Sequence, residues 1–188
     1  MGPGAFLNLM IDDQDLSRRA RDLDWLLLDV DGVLTDGRLF YGAEGEQWKV
    51  FHVHDGVGLK LAKDVGLKVG ILSGRGNAAL EVRSKELGLD AVVEGRHDKD
   101  AAFTEFLAQH AAAPERVAYI GDDILDLPVL RRCGLSFAPA DAALEVRERV
   151  HWVLARPGGH AAVREMCELI LRARGDWDKA IAHLLADW

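Results

Sequence analysis

Two aspartates one residue apart, Asp29 and Asp31, close the apolar run Trp25–Leu28 in the stretch WLLLDVDGVLTDG. An apolar run of this length that stops at Asp and Gly reads as a buried strand. Strand side chains alternate faces, so Asp29 and Asp31 are expected to project together from its carboxyl end. Carboxylates held that close stay ionised together only around a cation. Mg2+, a hard ion that takes oxygen ligands, suits them. A calcium loop of the EF-hand kind does not fit, because the sixth position counted from Asp29 is Leu34 rather than glycine.

Three more polar clusters follow apolar runs: Ser73, Gly74 and Arg75 after Leu67–Leu72, Lys99 after Asp90–Glu94, and Asp122 and Asp123 after Val117–Ile120. Together they supply what phosphoryl transfer needs: a nucleophile, a proton donor and positive charge around the phosphoryl oxygens. Asp29 would attack phosphorus and form an aspartyl phosphate. Asp31 would protonate the leaving alcohol and then deprotonate the attacking water. Ser73 would donate to a phosphoryl oxygen and Lys99 would add a fixed charge. Asp122 would complete the metal site, with Asp123 and Asp126 orienting its ligands and Lys99. Taken singly, Ser73 and the Asp122–Asp123 pair also read as helix-start residues, and Lys99 as a solvated lysine.

The elements that must position these groups alternate strand and helix. Strands are expected at 25–28, 67–72, 90–94, 117–120, 135–137 and 151–154. Helices are expected at 15–22, 56–65 with Asp55 as N-cap, 77–87, 99–109, 124–132, 142–149, 161–174 and 176–186. That alternation predicts an α/β fold, a doubly wound, Rossmann-like parallel sheet whose ligands bind beyond the strands' carboxyl ends. Arg38–Tyr41 and Gln47–Val53 around GAEGE read as a hairpin over 38–53. Its aromatic and β-branched residues exceed what a two-stranded ribbon buries, so it is expected to pack on the domain or on another chain.

At 188 residues the chain makes one domain, expected over 24–174, with an extension at 1–23 and a helical tail at 175–188. The net charge of −8 argues against a nucleic-acid partner. No apolar run reaches the ~18 residues of a membrane span. The first residues lack the pattern of a secretory signal, and Cys133 and Cys167 stand far apart without a CxxC. A cytoplasmic setting is therefore expected.

DVDGVLTDG, ILSGR, the Lys99 region and GDDILD, in this order and spacing, resemble the four motifs of the haloacid dehalogenase-like phosphatases. WKVFHVHDGVG, AYIGDDILDLPVL and GGHAAVREMCELIL are similar to the branch that acts on 3-deoxy-D-manno-octulosonate (Kdo) 8-phosphate. The resemblance spans residues 26–171. It implies the haloacid dehalogenase fold without a cap domain, since only a short hairpin segment separates Asp31 from the next helix. It implies a Mg2+-dependent phosphatase of lipopolysaccharide precursor synthesis, with a small sugar acid phosphate as substrate. It also implies a homotetramer whose hairpins meet and whose sites are completed by neighbouring subunits. By the same resemblance Asp29, Asp31 (through its carbonyl) and Asp122 are metal ligands. His52, His54, Asp55, Gly56, Lys60, Gly74, Arg75, Arg83, Lys99 and His160 match substrate-contacting positions.

Relatives often carry Arg in the places of His54 and His160, which leaves one fewer permanent charge for the sugar acid at each. A phosphatase for a nine-carbon sugar acid phosphate is a second reading, but those relatives commonly have Glu where Arg75 stands. A third, a non-catalytic tetramerising module, predicts a degraded motif set, whereas every catalytic position here is filled.

Overall fold

The structure is a computed structural model that describes residues 10–186. Six parallel strands form one sheet in the order β5-β4-β1-β6-β7-β8: β1 (Trp25–Leu28), β4 (Lys68–Leu72), β5 (Ala91–Val93), β6 (Val117–Ile120), β7 (Leu135–Ala138) and β8 (Trp152–Val153). β1 lies at the centre, paired along its length with β4 and β6. All four of its residues are buried, as expected of a strand covered on both faces.

Alternation along the strands divides the core in two. Leu26, Leu28, Val69, Ile71, Ala118 and Ile120 face one layer of helices. These are α1 (Asp13–Arg21), α2 (Val53–Asp64), α3 (Ala78–Leu87), α7 (Ala162–Arg174) and α8 (Trp177–Ala186). Trp25, Leu27, Val117 and Tyr119 face the other, formed by α4 (Lys99–His110), α5 (Leu127–Leu130) and α6 (Leu144–Arg147). Within the extension at 1–23, α1 lays Leu16 and Ala20 into the first layer. In the tail, α8 buries Ala180 beside them.

Several elements start or stop elsewhere than the sequence pattern suggests. Helix α2 begins at Val53 rather than Gly56, with His52 as N-cap in place of Asp55. The physical reason is that Asp55 is buried in the first turn and accepts a hydrogen bond from the Arg164 N–H at 2.8 Å. Asp55 therefore caps the start of α7 rather than its own helix. The expected helix at 124–132 divides into a 3-10 turn at Ile124–Asp126 and the short α5, opened by Pro128. β8 keeps two residues of the expected four, and α6 keeps Leu144–Arg147.

The hairpin, β2 (Phe40–Gly42) and β3 (Gly45–Trp48), pairs only with itself. Its strands are shorter than expected because Gly42 pairs with Gly45 and the ladder shifts register between Phe40 and Tyr41. Phe40, Tyr41, Trp48 and the following Val50 remain exposed, whereas Phe51 turns in against the first core layer.

Candidate active site

The carboxyl ends of β1, β4, β5 and β6 bring the strand-end clusters to one open cleft of about 330 Å3. Asp29, Asp31, Ser73, Gly74, Arg75, Lys99, Asp122, Asp123 and Asp126 line it, together with His97, Gly37 and Leu39.

Asp29 leaves the sheet while its backbone is still in register, its N–H donating to the Ile120 carbonyl at 3.0 Å. Beyond it the strand ends. The Val30 carbonyl accepts the N–H groups of Val33, Leu34 and Thr35, which curls the chain into a tight turn. Strand alternation therefore does not govern Asp31, and the two carboxylates take different partners. Asp29 Oδ2 lies 2.9 Å from Lys99 Nζ, whereas Asp31 Oδ1 lies 2.5 Å from Lys49 Nζ on the hairpin arm.

Lys99 is the first residue of α4, whose N-cap Asp98 accepts from the Ala101 N–H at 3.0 Å. Its ammonium is buried and held between Asp29 and Asp126, with Asp126 Oδ1 at 2.5 Å. Burial pulls its pKa down, but the two carboxylates outweigh that and hold it above the ordinary lysine value. Asp126 is fully engaged. Oδ1 also accepts from the Tyr119 hydroxyl at 2.6 Å. Oδ2 accepts from the N–H groups of Asp122 and Asp123 at 3.1 and 3.2 Å. Four bonds fill the lone-pair sites of a carboxylate. Asp126 thus orients Lys99 and the backbone that carries Asp122.

Asp29, Asp122 and Asp126 each bring a carboxylate oxygen within 4.8 Å of the others. Because Asp126 is saturated, the place left for a cation is between Asp29 and Asp122. Burial, then Asp126, pushes Asp29 up to about 7. Burial, then Asp29 and Asp126, pushes Asp122 up to about 8. A divalent cation between them would reverse both effects, so the residues fit a hard metal ion with oxygen ligands. Gly32 makes this approach possible. It has φ +84°, and a Cβ there would sit 2.0 Å from Asp122 Oδ2.

Ser73 is fixed by its own turn: its hydroxyl donates to the Arg75 carbonyl at 2.8 Å and accepts from the Arg75 N–H at 3.2 Å. The Arg75 guanidinium reaches into the cleft and donates to the Tyr41 hydroxyl of β2 at 3.4 Å.

The remaining residues taken from the sequence lie outside this cleft. His52 Nδ1 accepts from the His54 N–H at 3.2 Å, and His54 is exposed. Asp55 is buried against α7; one of its oxygens has no partner, and burial holds it up to about 6. Gly56 packs against α3, where a Cβ would lie 2.5 Å from Arg83 Nη2. Arg83 itself pairs with Glu86 at 2.9 Å and stacks over Phe51. Lys60 is exposed on α2. His160 Nδ1 lies 2.8 Å from the Gly158 carbonyl of its own loop.

Three residues in or behind the cleft escape a reading of the sequence: Lys49, Tyr119 and His97. Tyr119 could have been found as the one polar side chain of a strand that runs into GDD. A lysine in a hairpin arm and a histidine at a loop end carry no such signal.

No family model matches the chain. The chain is similar to the 3-deoxy-D-manno-octulosonate 8-phosphate phosphatase of Haemophilus influenzae, 42% identical over 85% of this chain and 89% of the relative. A crystal structure of the Yersinia pestis 3-deoxy-D-manno-octulosonate 8-phosphate phosphatase superposes with a TM-score of 0.84 at 41% identity, over 87% of this chain and 89% of that one. The Moraxella catarrhalis phosphatase of the same name, solved with magnesium ion, phosphate ion and Kdo, superposes at 0.87 with 34% identity, over 91% and 98% of the two chains. With its strand-end carboxylates, buried lysine and parallel sheet, this chain belongs to the 3-deoxy-D-manno-octulosonate 8-phosphate phosphatase family of the haloacid dehalogenase fold.

Proposed function

We propose that this chain is a Mg2+-dependent phosphatase that hydrolyses Kdo 8-phosphate to Kdo and phosphate, in lipopolysaccharide precursor synthesis. The observation that carries the reading is the Asp29–Lys99–Asp126 arrangement on the cleft floor, with Asp122 facing it. Asp29 and Asp122, with the Asp31 carbonyl, would hold the metal, which when bound lowers the repulsion between the carboxylates and the incoming phosphate.

The steps fall to the chain's own groups. Asp29 attacks phosphorus as the P–O bond to the sugar breaks, giving an aspartyl phosphate. Asp31 gives its proton to the departing sugar oxygen, then takes one from the water that opens the aspartyl phosphate. Lys99 holds positive charge at the phosphoryl oxygens, and the Ser73 hydroxyl would donate beside them by turning its proton away from the Arg75 carbonyl. Arg75 presents a planar fork suited to the sugar acid.

The homotetramer and the cytoplasmic setting are part of this proposal. Support for the first comes from the open apolar hairpin, Phe40, Tyr41, Trp48 and Val50, which nothing among the described residues covers. Exposed apolar surface of this kind marks an interface. In such an assembly His52, His54, Lys60 and Arg83, which lie outside their own chain's cleft, would complete a neighbour's. Asp55 and Gly56 would then place that group by fixing α2 against α7 and α3. No helix among the described residues is long and apolar enough to cross a membrane.

The test is phosphate release from a panel of sugar acid phosphates, with and without Mg2+. Turnover highest on Kdo 8-phosphate and lost in chelator is expected. Preference for a nine-carbon sugar acid phosphate, or no turnover at all, would overturn the reading.

A further inference from the structure

The hairpin arm carries a buried cation. Lys49 follows β3, and its side chain is 1% exposed, while its neighbours Trp48 and Val50 are 68% and 62% exposed. Alternation in the extended arm explains the contrast: residues 48 and 50 face outward and residue 49 turns inward toward α3 and Asp31. Nζ lies 2.5 Å from Asp31 Oδ1 and 2.8 Å from Glu46 Oε1. Glu46 Oε1 also accepts from Asn77 Nδ2 at 3.3 Å, and Asn77 caps α3 through the Leu80 N–H at 2.9 Å. A continuous set of contacts therefore runs from the start of α3, through the hairpin, to the Asp31 carboxylate.

A lysine with no task in the folded chain keeps its ammonium in water, because burying a charge is costly unless it is paired and hydrogen-bonded. Lys49 is buried and paired on both sides, and one of its partners is the group read as acid and base. Asp31 needs such a restraint. It sits in a turn past the end of β1, and its carboxylate has no backbone N–H partner among the described contacts. Proton transfer demands a donor within hydrogen-bond reach of the leaving oxygen. Pinning Oδ1 to the hairpin leaves the other oxygen to the cleft.

We propose that Lys49 is a positioning residue for the reaction: it holds Asp31 in the orientation from which it protonates the leaving oxygen, and it makes that orientation depend on the hairpin. The proposal rests on the reading of Asp31 as acid and base. Lys49 itself exchanges no proton in either step.

The experiment compares wild type, Lys49→Met and Lys49→Arg, with Mg2+ present, on two aryl phosphates that differ in leaving-group basicity. The readout is kcat/KM, which covers the steps up to departure of the leaving group. Phenyl phosphate needs the proton; 2,4-dinitrophenyl phosphate does not. Lys49→Met should lose about tenfold or more on phenyl phosphate and less than about threefold on 2,4-dinitrophenyl phosphate. Lys49→Arg should recover part of the loss. Combined with Asp31→Asn, Lys49→Met should add no further loss. Glu46→Gln, which leaves the lysine in place but loosens it, should show a smaller loss with the same leaving-group dependence. It carries the test if Lys49→Met does not fold.

Equal losses on both substrates, or additivity with Asp31→Asn, would overturn the proposal and assign Lys49 to the hairpin's structure alone. Kdo 8-phosphate is assayed separately. If wild type ignores it while Lys49→Met shows the leaving-group-dependent loss, the substrate reading is overturned and the role of Lys49 is supported.

Discussion

The sheet edge and the α2–hairpin surface are built in opposite ways. At the sheet edge every group proposed to react has a partner in the same chain. Lys99 is buried between Asp29 and Asp126, Asp126 makes four hydrogen bonds, and Ser73 is locked into its own turn. On the α2–hairpin surface some of the polar groups face outward. Lys60 and His54 are exposed, Arg83 pairs with its helix neighbour Glu86 and lies over Phe51, and the apolar residues Phe40, Tyr41 and Trp48 stand open. Bond-making chemistry needs preorganised charge, and a rigid strand end supplies it within one chain. Recognition of a long sugar acid needs reach, and in the proposed assembly the second region would reach a neighbour's cleft. Lys49 joins the two, since it is carried by the hairpin and pairs with Asp31.

The sharpest break of the comparison is Asp29→Asn. An amide cannot form the acyl phosphate, so phosphate release should vanish while circular dichroism and oligomeric state stay unchanged. Retained turnover would show that the sheet edge is not where the bond is broken.

The second break is at the hairpin. Phe40→Asp with Trp48→Asp puts charges into the open apolar face without touching the core. Phe51 would be a poor choice, because it packs inward. Sedimentation should show loss of the proposed tetramer, and turnover of Kdo 8-phosphate should fall with it. A fully active monomer would mean that one chain suffices.

Arg75 sits where the regions meet, in the cleft yet bonded to Tyr41 of the hairpin. Arg75→Ala should lower kcat/KM on Kdo 8-phosphate by a charged hydrogen bond's worth, about 1.5–3 kcal/mol. An aryl phosphate should lose little. Equal losses would place Arg75 with the phosphoryl group instead.

A control comes from the opposite end of the sheet. His151 is buried, and its Nδ1 lies 2.7 Å from Ser136 Oγ, with the Ser136 N–H donating to it at 3.0 Å. Burial lowers its pKa from 6.5 to about 4. The folded state therefore favours the neutral ring, while the unfolded chain takes up a proton below about pH 6.5. The stability this contributes is full above that pH and is lost as pH falls toward 4. Between pH 7 and 5 the loss should be about 2 kcal/mol by linkage. Urea unfolding should show it as the difference in pH dependence between wild type and His151→Gln, because the raised carboxylates Asp29, Asp55 and Asp122 act in the opposite direction in both. The same slope in both would remove His151 as its source.

How much of this could be read from the sequence follows the same division. The strand-end clusters meet at one edge because each follows a parallel strand, and strand order does not disturb that. The hairpin's surplus of apolar residues was equally legible. Side-chain direction near the start of α2 was not. The helix begins at Val53, so Asp55 turns under α7 where the Asp-Gly pattern suggests a cap. The turn after β1 likewise breaks the alternation that would have set Asp31 beside Asp29. Lys49 was invisible, because a lysine between Trp48 and Val50 looks solvated until tertiary packing closes over it.

The division of labour itself is tested most directly by mixing subunits. Asp29→Asn chains keep the proposed recognition surface and lack the proposed nucleophile. Chains with Lys60→Ala and Arg83→Ala keep the nucleophile and lack that surface. Each alone should turn over little Kdo 8-phosphate. After dissociation and reassembly together, statistical mixing gives about a quarter of the sites an intact nucleophile and an intact neighbour in a symmetric tetramer. Activity should therefore reappear in the mixture. A mixture no more active than its two components would contradict sites shared between subunits.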